Sequence, residues 1–147
     1  MPTSAAVSYV KPAGLIPAHA PEQAVLISVR LKASTTYPQG ALLGEVSASP
    51  GRFGPYDHSA SDGTQTIRAI LKYAAKTDSN GKIVFGDTNP GEDGVLHETA
   101  EVYVFGLFHS EDIPTSGSGA MDATNAIADG LGKKIYGDLT TGCFLLR

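Results

Sequence analysis

The chain has 147 residues, 41% of them hydrophobic and 18% charged, with 17 Gly, 9 Pro and a formal net charge of -4. That length suits one domain with a modest core. The 11 Lys and Arg are scattered, which excludes the basic stripe of a nucleic-acid binder, and no apolar run reaches the roughly 18 residues of a membrane-spanning helix.

Residues 1–24 form a distinct N-terminal segment. Pro2, Pro12, Pro17 and Pro21 interrupt it, and Lys11 and Glu22 are its only charges. Proline at this density blocks helices and strand ladders, and Met1 to Ser4 lack the basic and apolar regions of a signal peptide. The expectation is therefore a protein made and kept in a cytosol. Two apolar anchors, Val7-Ser8-Tyr9-Val10 and Leu15-Ile16, set the segment apart from a purely solvating tail. It reads as an extended arm that orders on a partner, with residues 25–147 as the body.

From Val25 the pattern alternates. Val25, Ile27, Val29 and Leu31 predict one face of a half-buried strand. Tyr37-Pro38-Gln39-Gly40 predicts a turn, Ala41 to Val46 a second strand, and Ser49-Pro50-Gly51 another turn. Arg52 to Asp57 is extended, and Asp62-Gly63 is a strong turn signal. Residues 64–75 fit a strand through Ile67, Ala69, Leu71 and Tyr73. They fit a helix face equally well through Ile67, Ile70, Leu71, Ala74 and Ala75. Residues 78–94, rich in Gly, Asp and Asn, predict a long loop or a hairpin around Ile83-Val84-Phe85.

Residues 98–109 carry the strongest strand signal. Val102, Val104 and Phe108 share one face, and Tyr103, Phe105 and Leu107 the other. Gly106 predicts a bulge or a close backbone approach. A polar linker follows at 114–119. A helix is predicted over 122–135, because Ala123, Ala126, Ile127, Gly130, Leu131 and Lys134 recur at helical spacing. Asp122 and Lys133-Lys134 complement its dipole, and Gly137 supplies a stop. Residues 140–146 predict a final strand.

No segment carries a catalytic or metal-binding signature. Gly130-Leu131-Gly132-Lys133-Lys134 lacks the first Gly and the Ser or Thr of a phosphate loop. Gly117-Ser118-Gly119 is not a nucleophile elbow, since Pro114 and Thr115 stand where that pattern would open. His19, His58, His97 and His109 show no paired ligand spacing and read as surface or strand-end residues. Residues 78–89 fail as a calcium loop because Asn89 stands where the bidentate Glu belongs. The single thiol, Cys143, precludes an intrachain disulfide, and its apolar neighbours point to a buried, inert group. No catalytic residue, metal or cofactor is expected.

Residues 40–78 read GALLGEVSASPGRFGPYDHSASDGTQTIRAILKYAAKTD, and residues 102–113 read VYVFGLFHSEDI. The order of Gly44, Tyr56-Asp57, Asp62-Gly63, Ile70-Leu71, Gly106 and Asp112 resembles that of the lambda-type phage head decoration proteins. The resemblance implies a mostly β fold: a small bent β-ribbon or β-tulip, akin to a β-clip, with one short C-terminal helix. It turns the ambiguous 64–75 stretch toward strand. It implies a homotrimer on three-fold sites of the expanded head, at the outer capsid surface of the virion, with the major capsid protein as partner and no nucleic acid or membrane. It also gives the arm a role, adding a strand to a capsid loop, with Val7, Tyr9, Val10, Leu15 and Ile16 as the expected anchors. The alternatives are a fibre, adhesin or tail β-module, and a small hydrolase with an unmarked site.

Overall fold

The alternation that begins at Val25 becomes the first strand of a mostly β fold. The structure, a computed structural model, describes residues 24–85, 96–126, 128–130 and 144–146. Its strands are β1 (Val25–Leu31), β2 (Thr36–Tyr37), β3 (Leu42–Glu45), β4 (Arg52–Pro55), β5 (Ala69–Leu71), β6 (Ala75–Thr77), β7 (Ile83–Phe85), β8 (Ala100–Phe108) and β9 (Phe144–Leu146).

Strand pairing closes on itself. β1 pairs in parallel with β4 through Arg30 and Leu31. β4 then pairs with β3, β3 with β5, and β5 with β8, all antiparallel. β8 returns to β1, antiparallel from Val29↔Ala100 to Val25↔Phe105. The ring leaves few open edges, which is how small β proteins avoid edge-to-edge association. β9 extends the end of β8 in parallel, with Gly106 opposite Phe144. A second sheet, in the order β2-β6-β7, packs beside the ring.

Consecutive residues of the ring strands are sorted to two cores, as a period of two requires. Leu43, Leu71 and Val102 join Val29, Leu31, Phe53, Tyr37, Ala75 and Ile83 in the core shared with the small sheet. Leu42, Ile70 and Tyr103 face the other way, into a core closed by Tyr56, Ile67, Phe108, Ile113 and Ala126. Both faces of β3, of β5 and of β8 at Val102 and Tyr103 are thus covered. The Tyr103 and Phe108 rings meet edge to face with centroids 5.1 Å apart. Burial pushes the Tyr37 phenol up to about 12, and its hydroxyl donates to the Lys32 carbonyl at 3.0 Å. The buried Thr77 hydroxyl donates to the same carbonyl at 2.7 Å and accepts the Thr35 N–H at 3.0 Å.

The predicted turns at 37–40, 49–51 and 62–63 are present. The ambiguous stretch resolves to strand at β5, after a turn over 64–66. The hairpin around Val84 is also present, built from β6 and β7. The bulge expected at Gly106 falls two residues earlier, at Val104. The β1–β8 register slips so that Leu26 faces Tyr103 while Val25 faces Phe105, which leaves Val104 as the extra residue of a bulge. A Cβ at Gly106 would lie 3.0 Å from the Phe108 ring.

Two expectations are corrected. The predicted C-terminal helix is not seen among the described residues: 123–126 and 128–130 are turns, and residues 131–135 lie outside the described set. Asp122 begins as a helix cap would, its carboxylate accepting the N–H groups of Thr124 and Asn125, each at 3.0 Å. At its far end the Asp129 carbonyl accepts the Ile67 N–H at 2.8 Å, and Gly130 adopts φ +132°, outside the helical region. The 114–119 segment, in turn, is not a loose linker. Its Gly119 carbonyl accepts the Leu42 N–H at 2.8 Å, and Met121 donates to the Pro114 carbonyl at 2.7 Å, pinning it to β3.

Candidate functional site

The positions that carried the resemblance prove to be organisers of the fold. Gly44 lies on β3, where a Cβ would stand 2.6 Å from Thr64 Cα and 2.6 Å from the Thr66 carbonyl oxygen. Only a hydrogen fits between β3 and the 62–66 turn. Gly63 adopts φ +108°, a conformation L side chains rarely take, and backs onto the Glu45 carbonyl. Asp62 makes that turn: its carboxylate accepts the Thr64 hydroxyl at 2.6 Å and the Thr64 N–H at 3.1 Å. These bonds, with Lys32 3.4 Å away, hold the Asp62 carboxyl down to about 2. Asp57 repeats the device with the hydroxyl and N–H of Ser59, which lower its carboxyl in the same way. Ile70 and Leu71 enter the two opposite cores. Asp112 ends a single 3-10 turn, Ser110–Asp112, and its carbonyl lies against Gly40.

Tyr56 leads to residues that the sequence did not single out. Its hydroxyl donates to Asp129 Oδ2 at 2.7 Å, and His58 Nδ1 contacts the same oxygen at 2.7 Å. Burial, then the bond to Asp129, raises the Tyr56 phenol. A His–Asp pair invites comparison with a hydrolase. The His58 side chain, however, is 49% exposed at the surface rather than set in a deep cleft, and the neighbouring Ser59 hydroxyl is committed to Asp57. What the cluster does is tie the loop after β4 to the 122–130 turn. No sequence signal could have found it, because the partners are more than 70 residues apart. Among the described residues, no group of His, Cys, Asp or Glu side chains is placed to hold a metal ion.

His97 forms an isolated bridge with Ile83, with reciprocal backbone bonds of 2.7 and 2.8 Å, and so clamps the two ends of the 84–96 excursion. It is the strand-end residue expected. Lys82 and Glu98 form an ion pair beside it. His109 follows the last residue of β8 and is half-buried. Among the described residues, the exposed large apolar side chains are Val25, Leu26, Ile27 and Phe105, together at one end of the β1–β8 ribbon, and Leu96. This departs from the alternation, which placed Val25 and Ile27 on a buried face with Val29 and Leu31. Val29 and Leu31 are buried, whereas Val25 and Ile27 lie beyond the reach of the β4 pairing. The arm anchors Val7, Tyr9, Val10, Leu15 and Ile16 lie outside the described residues, as do His19 and Cys143.

A closed β body whose signature residues build turns and cores, and whose exposed large apolar side chains among the described residues, Leu96 apart, gather on one strand pair, has the character of a structural binding module. The family model for bacteriophage lambda head decoration protein D matches residues 10–87, more than half of the chain, and the chain belongs to that family. The family is one of structural phage capsid proteins, which gives this chain a capsid decoration role and a place on the virion capsid. A search among curated proteins finds no match.

Proposed function

We propose that the chain is a capsid cement that binds as a homotrimer to three-fold sites on the outside of the expanded head and stabilises it against the pressure of packaged DNA. The N-terminal arm supplies the grip. Val7, Tyr9, Val10, Leu15 and Ile16 seat an extended segment on a loop of the major capsid protein, where backbone hydrogen bonds give affinity and alternate side chains fill pockets. Three such arms act together, so each can be weak while the trimer holds tightly.

The observation that carries this reading is the extent of the family match. It begins at residue 10 and so takes in Val10, Leu15 and Ile16 along with the first seven strands. The matched range thus includes three of the five anchors, and Val7 and Tyr9 lie just ahead of it. Deletion of residues 1–20 is the test. The truncated chain should keep its mass by sedimentation and its β-type circular dichroism yet fail to decorate expanded capsids. Full occupancy by the truncated chain would defeat the role given to the arm, and a monomeric mass for the intact chain would defeat the trimer.

A further inference from the structure

Val25 is 47% exposed, Leu26 42%, Ile27 42% and Phe105 36%, all on one strand pair. Val25 and Phe105 are direct cross-strand partners. Val25 and Ile27 lie on one face of β1 and Leu26 on the other, so this end of the ribbon is apolar on both sides. Its edge is open as well. Among the described residues, β1 meets β4 only through Arg30 and Leu31, and residues 25–28 have no strand partner on the side away from β8. An apolar open edge invites pairing unless Lys, Pro or a bulge blunts it. Between Val25 and Ser28 there is neither a charge nor a proline.

We propose that this ribbon is a second capsid contact, made by the body itself: an extended, uncharged segment of the capsid subunit adds along the open edge of β1 and packs on Val25, Ile27 and Phe105. The inference rests on the capsid-binding role given to the arm. The occupant follows from where the chain leads. The 23 residues ahead of Ala24 end at this ribbon, so the arm is rooted on it. Ile16 precedes Ala24 by eight positions, which fixes its backbone within about 30 Å of the ribbon even when fully extended. A capsid surface that holds the arm therefore lies within that distance of β1. The absence of charge between Val25 and Ser28 matches an apolar strand and would penalise a charged loop.

The test uses the full-length chain and expanded capsids stripped of decoration protein. Ile27→Lys and Leu26→Lys place a charge on opposite faces of β1 at positions already in solvent, and Leu96→Lys, exposed but outside β1 and β8, is the control. Ile27→Lys should weaken capsid binding about tenfold or more, a loss of hot-spot size, with sedimentation mass and circular dichroism unchanged. Leu96→Lys should bind as the unaltered chain does. Unchanged binding by both β1 variants, while the arm-deleted chain fails to bind, would overturn the ribbon contact and leave the arm standing. Equal losses in all three variants would overturn it as non-specific charge repulsion. A fall in sedimentation mass in Ile27→Lys would overturn it in favour of a contact between copies of the chain. Full binding by the arm-deleted chain would remove the premise, and the ribbon contact with it.

Discussion

Single atoms decide how tightly β3 can approach the 62–66 turn. A Cβ at Gly44 has backbone atoms on two sides within 2.6 Å, and backbone cannot swing away as a side chain can. Gly44→Ala should therefore lower stability by about 2 kcal/mol through overpacking. Gly51 is the informative contrast. It has φ +86° but nothing within 4 Å of the added atom, so Gly51→Ala should cost only the backbone term, about 1 kcal/mol. Urea denaturation of the two variants measures the difference. Asp62 makes a second prediction at this scale. Its carboxyl is held at about 2, against an ordinary value of 3.8, chiefly by the Thr64 hydroxyl and N–H. The folded chain thus gives up this proton more readily than the unfolded chain. Its contribution is complete above pH ~4 and disappears as the pH falls toward 2. Asp62→Asn keeps an oxygen for Thr64 but no titration, so its urea midpoint should fall less between pH 4 and 2 than that of the unaltered chain.

At the scale of elements, the two halves of the chain are stitched together by Asp129. One of its carboxylate oxygens receives both Tyr56 and His58, and its carbonyl receives the Ile67 N–H. Asp129→Ala strips the Tyr56 hydroxyl of its partner in a buried site and should cost about 2 kcal/mol. Tyr56→Phe removes donor and need together and should cost less. The double variant should then lose little beyond Asp129→Ala, a coupling that a double-mutant cycle on thermal or urea unfolding would reveal. The same scale bears on the turns found at 123–126 and 128–130. Ala123, Ala126 and Gly130 recur at helical spacing, yet the Asp129 carbonyl is engaged by the Ile67 N–H. Local periodicity registers which residues prefer the same side. It does not register a donor more than 50 residues away that binds the Asp129 carbonyl.

For the molecule as a whole, the ring of β1, β4, β3, β5 and β8 is the frame that carries the proposed binding surfaces. Its integrity depends on residues such as Leu71, fully buried between the ring and the small sheet. Leu71→Ala should cost about 2–5 kcal/mol by cavity formation, measured as a lowered urea midpoint. The apolar ribbon lies at the Ala24 end of the β1–β8 pair, whereas the Ile83–His97 bridge joins the small sheet to the segment leading into β8. Most of the strands were legible in the sequence: β1, β3, β8 and the hairpin of β6 and β7 follow from alternation and from turn residues. The ring was not, because the parallel β1–β4 pairing and the return of β8 to β1 join segments with no shared local signal. The site was legible only as a family resemblance. The residues that carried it, Gly44, Asp62 and Gly63 among them, are constrained by folding, and the exposed apolar ribbon runs against the alternation that suggested burial.

The sequence by itself determined the class: a mostly β body, marked by period-two runs and by Gly and Asp turns, preceded by a proline-broken arm and lacking any catalytic motif. These are properties of neighbouring residues, set by backbone geometry and local hydrogen bonding. Tertiary structure alone decided which halves of β1 are buried and exposed, that residues 123–126 and 128–130 form turns, and that Tyr56, His58 and Asp129 meet. Each depends on a partner brought from far along the chain, and burial is a property of what the fold places overhead, which no local pattern encodes.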